Sequence, residues 1–319
     1  MKGAILDWDC YGPDISLAPL ENLGVHWEVH SLTKPDQILE RLHSKQIAIV
    51  NKVPLRKETL SQLPDLQLIC EGATGYDNID IAAANERGIV VCNVPAYSTD
   101  SVAQLTLFFV LNLFESAFSY QNTKKEWPHS PMYCRFNGPI VEAKGKTIGI
   151  VGAGKIGQEV GRLCHAFGMK VIYTASRDPK RSLPGSLPLE KLLPIADIVT
   201  LHVPLTAETR HLFGEKAFSS MKKGAFLINN SRGGLIDEMA LVKALKSHHL
   251  GGAALDVLSQ EPPPHDHPLL DPTIPNLIIT PHIAWASIEA RTRMIDILAS
   301  NVSAFLSGKP QNVVLHKIA

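Results

Sequence analysis

Residues 144–162 read KGKTIGIVGAGKIGQEVGR. Within them, Thr147-Ile148-Gly149-Ile150-Val151 is an apolar run of the kind that forms a buried parallel strand. Gly152, Gly154 and Gly157 follow in G-x-G-x-x-G spacing, and a helical pattern comes next. Each glycine has its own task. The first makes the tight strand-to-helix turn, the second lets the backbone approach a pyrophosphate, and the third lets helix and strand pack closely. The new helix offers N–H groups and the positive end of its dipole to phosphates. The glycine spacing alone is weak evidence; the strand before it and the helix after it are the context it requires.

The same alternation continues outward. Strand candidates lie at 147–151, 170–174, 197–201, 225–229, 252–256 and 277–280, with helical stretches between most of them. Six such strands after a dinucleotide fingerprint fit a Rossmann layout of two halves. Upstream, apolar runs at 4–6, 47–50, 66–70 and 89–92 are bounded by turn residues. Residues 35–43 read as a helix with Ile38, Leu39 and Leu42 on one face. Strands alternating with helices predict parallel sheets covered on both faces, an α/β architecture of two doubly wound domains.

Residues 98–118 read as a long buried helix, with Ser98 or Thr99 as its cap. The turn-rich stretch WPHSPMYCRFNGP at 127–139 breaks the pattern and predicts a projecting arm or loop. Residues 287–306 are helical again, with Met294, Ile295, Ile297 and Leu298 spaced for burial. The fingerprint sits mid-chain, so its domain either follows the first or is inserted into it. A C-terminal helix that closes back on the first domain favours insertion. The expected boundaries are 1–98 with 288–319 for one domain and 99–287 for the other.

The chain has 319 residues, more than one core of about 250–300 residues usually serves. Hydrophobic residues make up 45% and charged residues 19%, as in soluble globular proteins. Lys+Arg and Asp+Glu number 31 each. No basic excess points to nucleic acid, and no charge run forms an interaction tail. The pI near 7.2 leaves self-association unopposed by charge. Five cysteines are scattered, odd in number and without C-x-x-C. That pattern predicts unpaired thiols in a reducing compartment rather than a disulfide frame or zinc site. Asp7 and Asp9 stand where a signal peptide would need an apolar stretch. Residues 102–114 are apolar but broken by Gln104, Thr106 and Asn112, too short and polar to span a membrane. The cytoplasm is the expected location.

Three strand ends carry candidate chemistry. The run Leu227-Ile228-Asn229-Asn230-Ser231-Arg232 ends in an arginine, which can clamp a carboxylate through two parallel hydrogen bonds. Glu261 follows the strand that ends at Asp256, and His282 follows Thr280-Pro281. Ligands of such sheets bind outside the strands' carboxyl ends. An imidazole there can exchange a proton near neutral pH, a carboxylate can orient it, and a guanidinium can polarise a carbonyl. Singly, each has a plainer reading: a structural histidine, a surface ion pair, a Glu-Pro-Pro loop. Behind a dinucleotide fingerprint the set points to proton transfer beside a cofactor. His248 and His249 suit a helix end. His265 and His267 sit in a Pro/Asp loop with no third ligand nearby, so no metal is expected.

Together these segments resemble the D-isomer-specific 2-hydroxyacid dehydrogenase family over essentially the whole chain. The matching pieces are GATGYDNID at 72–80, STDSVAQ at 98–104, GKTIGIVGAGKIG at 145–157 and LHVPLTAETRHL at 201–212. NNSRGGLIDE at 229–238, ALDVLSQEPP at 254–263 and PHIAWAS at 281–287 complete them. The resemblance implies a substrate domain of flavodoxin-like type built from both chain ends, a central cofactor domain and a homodimer. It implies Arg232, Glu261 and His282 as the catalytic set, with substrate contacts from Lys52, Thr74, Gly75 and Trp285. Asn51-Lys52-Val53-Pro54 and PHIAWAS look like the branch of glycerate dehydrogenases and hydroxypyruvate reductases. The implied reaction moves a hydride between NAD(P)H and a small 2-keto acid such as hydroxypyruvate or glyoxylate. A non-catalytic NAD(H)-sensing regulator of the same fold is the alternative; an intact Arg, Glu and His set argues against it.

The cofactor set that the resemblance implies begins with Val102 and the turn residues Gly152, Gly154, Lys155, Ile156 and Gly157. It continues through Ser176 and Arg177, then His202, Val203, Pro204 and Thr209. Asn230, Ser231, Arg232, Asp256, His282 and Ala284 complete it. Two departures stand out: Ala73 replaces a usual glycine, and Ala284 stands where many members have glycine. NAD-preferring Rossmann enzymes carry an acid about 20 residues beyond the glycines. Here Ala175 takes that place and Ser176-Arg177 follow, a pair suited to a 2′-phosphate and hence to NADP(H). Asp178 serves as the acid instead if the loop is one turn longer.

Overall fold

The computed structural model describes residues 1–176 and 182–315. The chain divides into two compact units, Met1–Ser98 with Ala286–Ala319, and Thr99–Trp285 between them. The second is therefore inserted into the first.

In the first unit, apolar runs become five parallel strands. These are β1 (Lys2–Ile5), β2 (His26–Val29), β3 (Ile47–Val50), β4 (Leu68–Glu71) and β5 (Val90–Cys92). Their order is β2-β1-β3-β4-β5, the flavodoxin-like doubly wound order. Every residue of the inner strands β3 and β4 is buried, as strands covered on both faces require. β2 escapes the sequence reading because it is an edge strand with a mostly exposed pattern. The helix expected over 35–43 is a 3-10 turn, Pro35–Gln37, followed by Ile38–Leu42. Ile38 and Leu42 are buried but Leu39 is exposed, so its apolar stripe is narrower than predicted. The helix Ile288–Leu306 brings the chain back to this unit. The hydroxyl of Ser287 caps it by accepting from the N–H of Ala290 at 3.2 Å. Met294, Ile295 and Leu298 are buried, while Ile297 is half-buried.

The second unit holds β6 (Thr147–Val151), β7 (Lys170–Tyr173), β8 (Ile198–Leu201), β9 (Phe226–Asn229), β10 (Gly252–Leu255) and β11 (Leu277–Ile279). All pairings are parallel, in the order β11-β10-β9-β8-β6-β7. A Rossmann sheet of two equal halves has a third strand beyond the second. Here that strand is reduced to one parallel bridge between Thr174 and Leu187, so the even two-half layout is corrected. The helix Thr99–Glu115 packs on the helix Lys155–Ala166, with Phe109 and Phe114 buried. It ends at Ser116, whose φ is +50°. The following arm carries exposed Trp127, Met132, Tyr133 and Phe136. Among the described residues no helix is long and apolar enough to cross a membrane.

Candidate active site

The glycine turn is built by backbone pressed on backbone. Gly152 has φ +107°, and a Cβ on it would stand 2.4 Å from the carbonyl oxygen of His202. A Cβ on Gly157 would stand 2.1 Å from the carbonyl oxygen of Gly152. A Cβ on Gly154, by contrast, meets nothing within 4 Å. Gly154 is the N-cap of the helix Lys155–Ala166 and offers it no side chain. The first-turn N–H groups of Lys155, Ile156 and Gly157 precede the first intrahelical bond, so they remain for an anion. Open room in front of a helix start, framed by glycines that admit no Cβ, fits a pyrophosphate.

The neighbouring strand end completes this crevice. After β8, the N–H of His202 donates to the carbonyl of Val151 at 2.7 Å. Nε2 of His202 lies 3.0 Å from Oγ1 of Thr200. Burial lowers this imidazole's pKa to about 4, so it is neutral at physiological pH. Beyond Val203, the hydroxyl of Thr209 donates to the carbonyl of Pro204 and accepts from the N–H of Thr206, both at 2.7 Å. Thr209 thus braces its own loop. Val102 is buried, and its carbonyl accepts from Thr106 Oγ1, which in turn accepts from Nδ2 of Asn230 at 2.9 Å. Oδ1 of Asn230 is buried and unpartnered, an acceptor that awaits a donor. Ser176 is exposed past β7, and its N–H donates to Oγ of Ser182 at 2.9 Å. Arg177 and Asp178 lie outside the described residues.

Three strand-end loops of this unit carry the candidate catalytic residues. Oδ1 of Asn229 accepts from the N–H of Ser231 at 3.0 Å, and its Nδ2 donates to the carbonyl of Arg232 at 2.9 Å. This side chain fixes the turn that presents Arg232. The hydroxyl of Ser231 donates to the carbonyl of Leu201 at 2.7 Å, and Nη1 of Arg232 to the carbonyl of Ser231 at 2.9 Å. A Cβ on Gly233 would stand 1.9 Å from the carbonyl carbon of Leu258. The arginine loop therefore lies flat on the backbone that leads to Glu261.

Glu261 reaches in two directions. Oε1 accepts from the N–H of Leu258 at 3.0 Å, and Oε2 lies 2.5 Å from Nδ1 of His282. With Nδ1 engaged, Nε2 is the ring atom left for proton exchange. His282 sits at φ +55°, a conformation that non-glycine residues seldom hold without support. Asp256, 1% exposed, supplies that support. Its carbonyl accepts from the N–H of His282 at 2.9 Å. Its Oδ1 accepts from Thr280 Oγ1 at 2.6 Å and from the N–H of Ile283 at 2.9 Å, and its Oδ2 from the N–H of Ala284 at 2.8 Å. Burial raises the Asp256 carboxyl's pKa, and these hydrogen bonds oppose the rise. Trp285 follows, half-buried.

In the first unit, the loop after β3 holds Lys52 and the loop after β4 holds Thr74 and Gly75. Asp7, at the end of β1, is 2% exposed and accepts from the N–H groups of Asn51, Lys52 and Val53 at 2.9, 2.6 and 3.3 Å. It sets the path of the Lys52 loop, whose side chain is exposed. The hydroxyl of Thr74 donates to the carbonyl of Val94, and Nδ2 of Asn93 donates to the carbonyl of Thr74, both at 2.8 Å. Glu71 is wholly buried at the end of β4, where Nδ2 of Asn78 donates to its Oε2 at 2.9 Å. Burial pushes its carboxyl well above the usual range, as it raises Asp7. The sequence reading missed both acids. The available signal was an acid directly after an apolar run, in Ile5-Leu6-Asp7 and Ile69-Cys70-Glu71.

The profile described as "D-isomer specific 2-hydroxyacid dehydrogenase, NAD binding domain" matches residues 108–284. A putative 2-hydroxyacid dehydrogenase of Haemophilus influenzae is 44% identical over 310 residues, 96% of this chain and 98% of that one. A glycerate dehydrogenase of Methylorubrum extorquens is 44% identical over 291 residues, 90% of this chain and 91% of that one. Among solved structures, an acyclic imino acid reductase in complex with NADPH and D-Arg superposes with a TM-score of 0.87. It is 32% identical, with 99% of this chain and 100% of that one covered. The chain belongs to the D-isomer specific 2-hydroxyacid dehydrogenase family. It is an oxidoreductase that uses a nicotinamide cofactor and acts on a small 2-hydroxy or 2-keto acid. The regulatory alternative gains no support from these relatives.

Proposed function

We propose that this enzyme reduces hydroxypyruvate or glyoxylate, with Arg232, Glu261 and His282 as its catalytic residues. The observation that carries the reading is the 2.5 Å contact between His282 and Glu261, on loops that Asp256 fastens at the strand ends. When bound, the nicotinamide supplies the hydride for C2 of the keto acid. Nε2 of His282 gives the proton to the carbonyl oxygen. Glu261 holds the ring through Nδ1 and stabilises its charged form. The guanidinium of Arg232 binds the carboxylate and polarises the carbonyl. Trp285 sets the fit at C3.

NADP(H) is the preferred nucleotide in this reading. Ala175 stands where an acid would select NAD, and Ser176 and Arg177 follow it in the sequence; the imino acid reductase above binds NADPH. A second copy of the chain is the expected partner, seated on the arm. Tyr133 is 91% and Phe136 71% exposed there, beside exposed Trp127 and Met132, apolar side chains that a partner would cover. All five cysteines are free, in keeping with a reducing compartment such as the cytoplasm.

The test is oxidation of NADH and NADPH by a panel of 2-keto acids. Hydroxypyruvate or glyoxylate with NADPH should give the highest kcat/KM. Faster turnover of pyruvate or phosphohydroxypyruvate would displace the substrate assignment, and a clear NADH preference would displace the nucleotide assignment.

A further inference from the structure

The loop that carries Glu261 is short of backbone donors. Pro262, Pro263 and Pro264 follow it directly, and proline has no N–H to give. Side chains anchor it instead, and one carboxylate takes most of the load. The N–H of Ser259 donates to Oε1 of Glu238 at 2.7 Å, and the hydroxyl of Ser259 donates to Oε2 at 2.5 Å. Nε2 of His267 reaches the same Oε2 at 3.2 Å. Nδ1 of His267 accepts from the N–H of Leu269 at 3.3 Å, so the neutral ring carries its proton on Nε2, aimed at Glu238. Three donors converge on Glu238. The side chains are well shielded, 14% exposed for Glu238 and 6% for His267.

Glu238 itself is firmly placed. It opens the helix Glu238–Lys246, which Asp237 caps by accepting from the N–H of Ala240 at 3.1 Å. The same segment holds Arg232, and its Gly233 already presses on Leu258. Glu238 thus ties the arginine segment to the loop between β10 and β11 on both sides of Glu261: Ser259 before it, and His267 after it.

We propose that Glu238 is a positioning residue for the proton-transfer pair. It acts through Ser259, with His267 as its brace, by fixing the height at which Glu261 meets His282. The proposal rests on the catalytic reading given above. A displacement of about 1 Å at such a pair can lower turnover by about 10²-fold.

The experiment is a double-mutant cycle in the full-length enzyme, with kcat, KM and nucleotide Kd measured for Glu238→Ala, Glu261→Gln and their combination. Glu238→Ala should lower kcat by about 10–100-fold and leave nucleotide Kd within about 2-fold, since the side chain of Glu238 bonds to Ser259 and His267, away from the glycine turn. In the Glu261→Gln background the same change should cost less than about 3-fold, because the carboxylate to be positioned is gone. Glu238→Gln keeps an acceptor for the Ser259 N–H but cannot receive the His267 proton at the other corner, so it should fall between. If Glu238→Ala does not fold, Ser259→Ala removes one hydroxyl and should show the same loss of additivity at a few-fold effect. Equal losses in both backgrounds, or no loss in kcat, would overturn the proposal. If Glu261→Gln alone leaves kcat unchanged, the catalytic reading fails first and takes this one with it.

Discussion

Nδ1 of His282 and Oε2 of Glu261 lie 2.5 Å apart although 21 residues separate them in sequence. Each sits just past the carboxyl end of a strand, and β10 and β11 are paired neighbours. The sheet therefore brings the two loops together, and Asp256 fixes the left-handed backbone that aims the histidine.

The first prediction follows from that contact. His282→Ala should lower kcat by about 10²–10⁴-fold, the range for loss of a general acid. Glu261→Gln keeps the shape but removes the charge that holds the ring, and should cost less. Nucleotide Kd, followed by fluorescence quenching, should change far less than kcat in both, because the glycine turn that grips the pyrophosphate is untouched. Unchanged turnover in His282→Ala removes the histidine from the chemistry.

The last two glycines of the turn should respond differently to the same methyl group. Gly157→Ala forces a Cβ to 2.1 Å from a backbone oxygen, so thermal stability should fall by at least about 1–3 kcal/mol. Gly154→Ala meets no protein atom. It should change stability by less than about 0.5 kcal/mol yet weaken nucleotide binding by about 10-fold or more, where backbone must approach the pyrophosphate. Calorimetric melting and nucleotide titration separate the cases. A Gly154→Ala enzyme that binds nucleotide normally would place the phosphates elsewhere.

Glu71 gives a prediction in pH. Its folded pKa lies well above the ordinary 4.5, chiefly through burial. The folded state then holds this proton to higher pH than the unfolded state does. Stability from this group is present below the unfolded value and is lost as pH rises toward the folded one. Glu71→Gln removes the loss while its amide oxygen can still accept from Asn78. The variant should melt higher than the parent at pH 8, by about 2–4 °C if the gain is about 1 kcal/mol, and the difference should shrink toward pH 5. A difference independent of pH would show that Glu71 does not titrate in that window.

Local sequence and long-range geometry were not equally legible. β6 and its glycines could be read outright, because strand, turn and helix start are contiguous and each glycine answers a local steric demand. The strand ends at Arg232, Glu261 and His282 were legible as parts, since parallel sheets gather ligands at one edge. β2 was hidden by its exposure, and the third Rossmann strand by its reduction to one bridge at Leu187. The supports were also hidden. Asp7 takes N–H groups from residues 51–53, and Glu238 takes Ser259 and His267. Such pairings depend on how distant segments pack, which no local pattern encodes. His267 looked like a loop residue for that reason.

The shortened third strand has a consequence for descent. β7 is the last strand of its sheet, and past the bridge at Thr174 the N–H of Ser176 goes to a serine hydroxyl rather than to a neighbouring strand. Exchanging the side chain at residue 176 therefore leaves every rung of the ladder intact. Side-chain exchange at that margin spares the sheet, whereas Gly152 and Gly157, wedged against carbonyl oxygens, are closed to it.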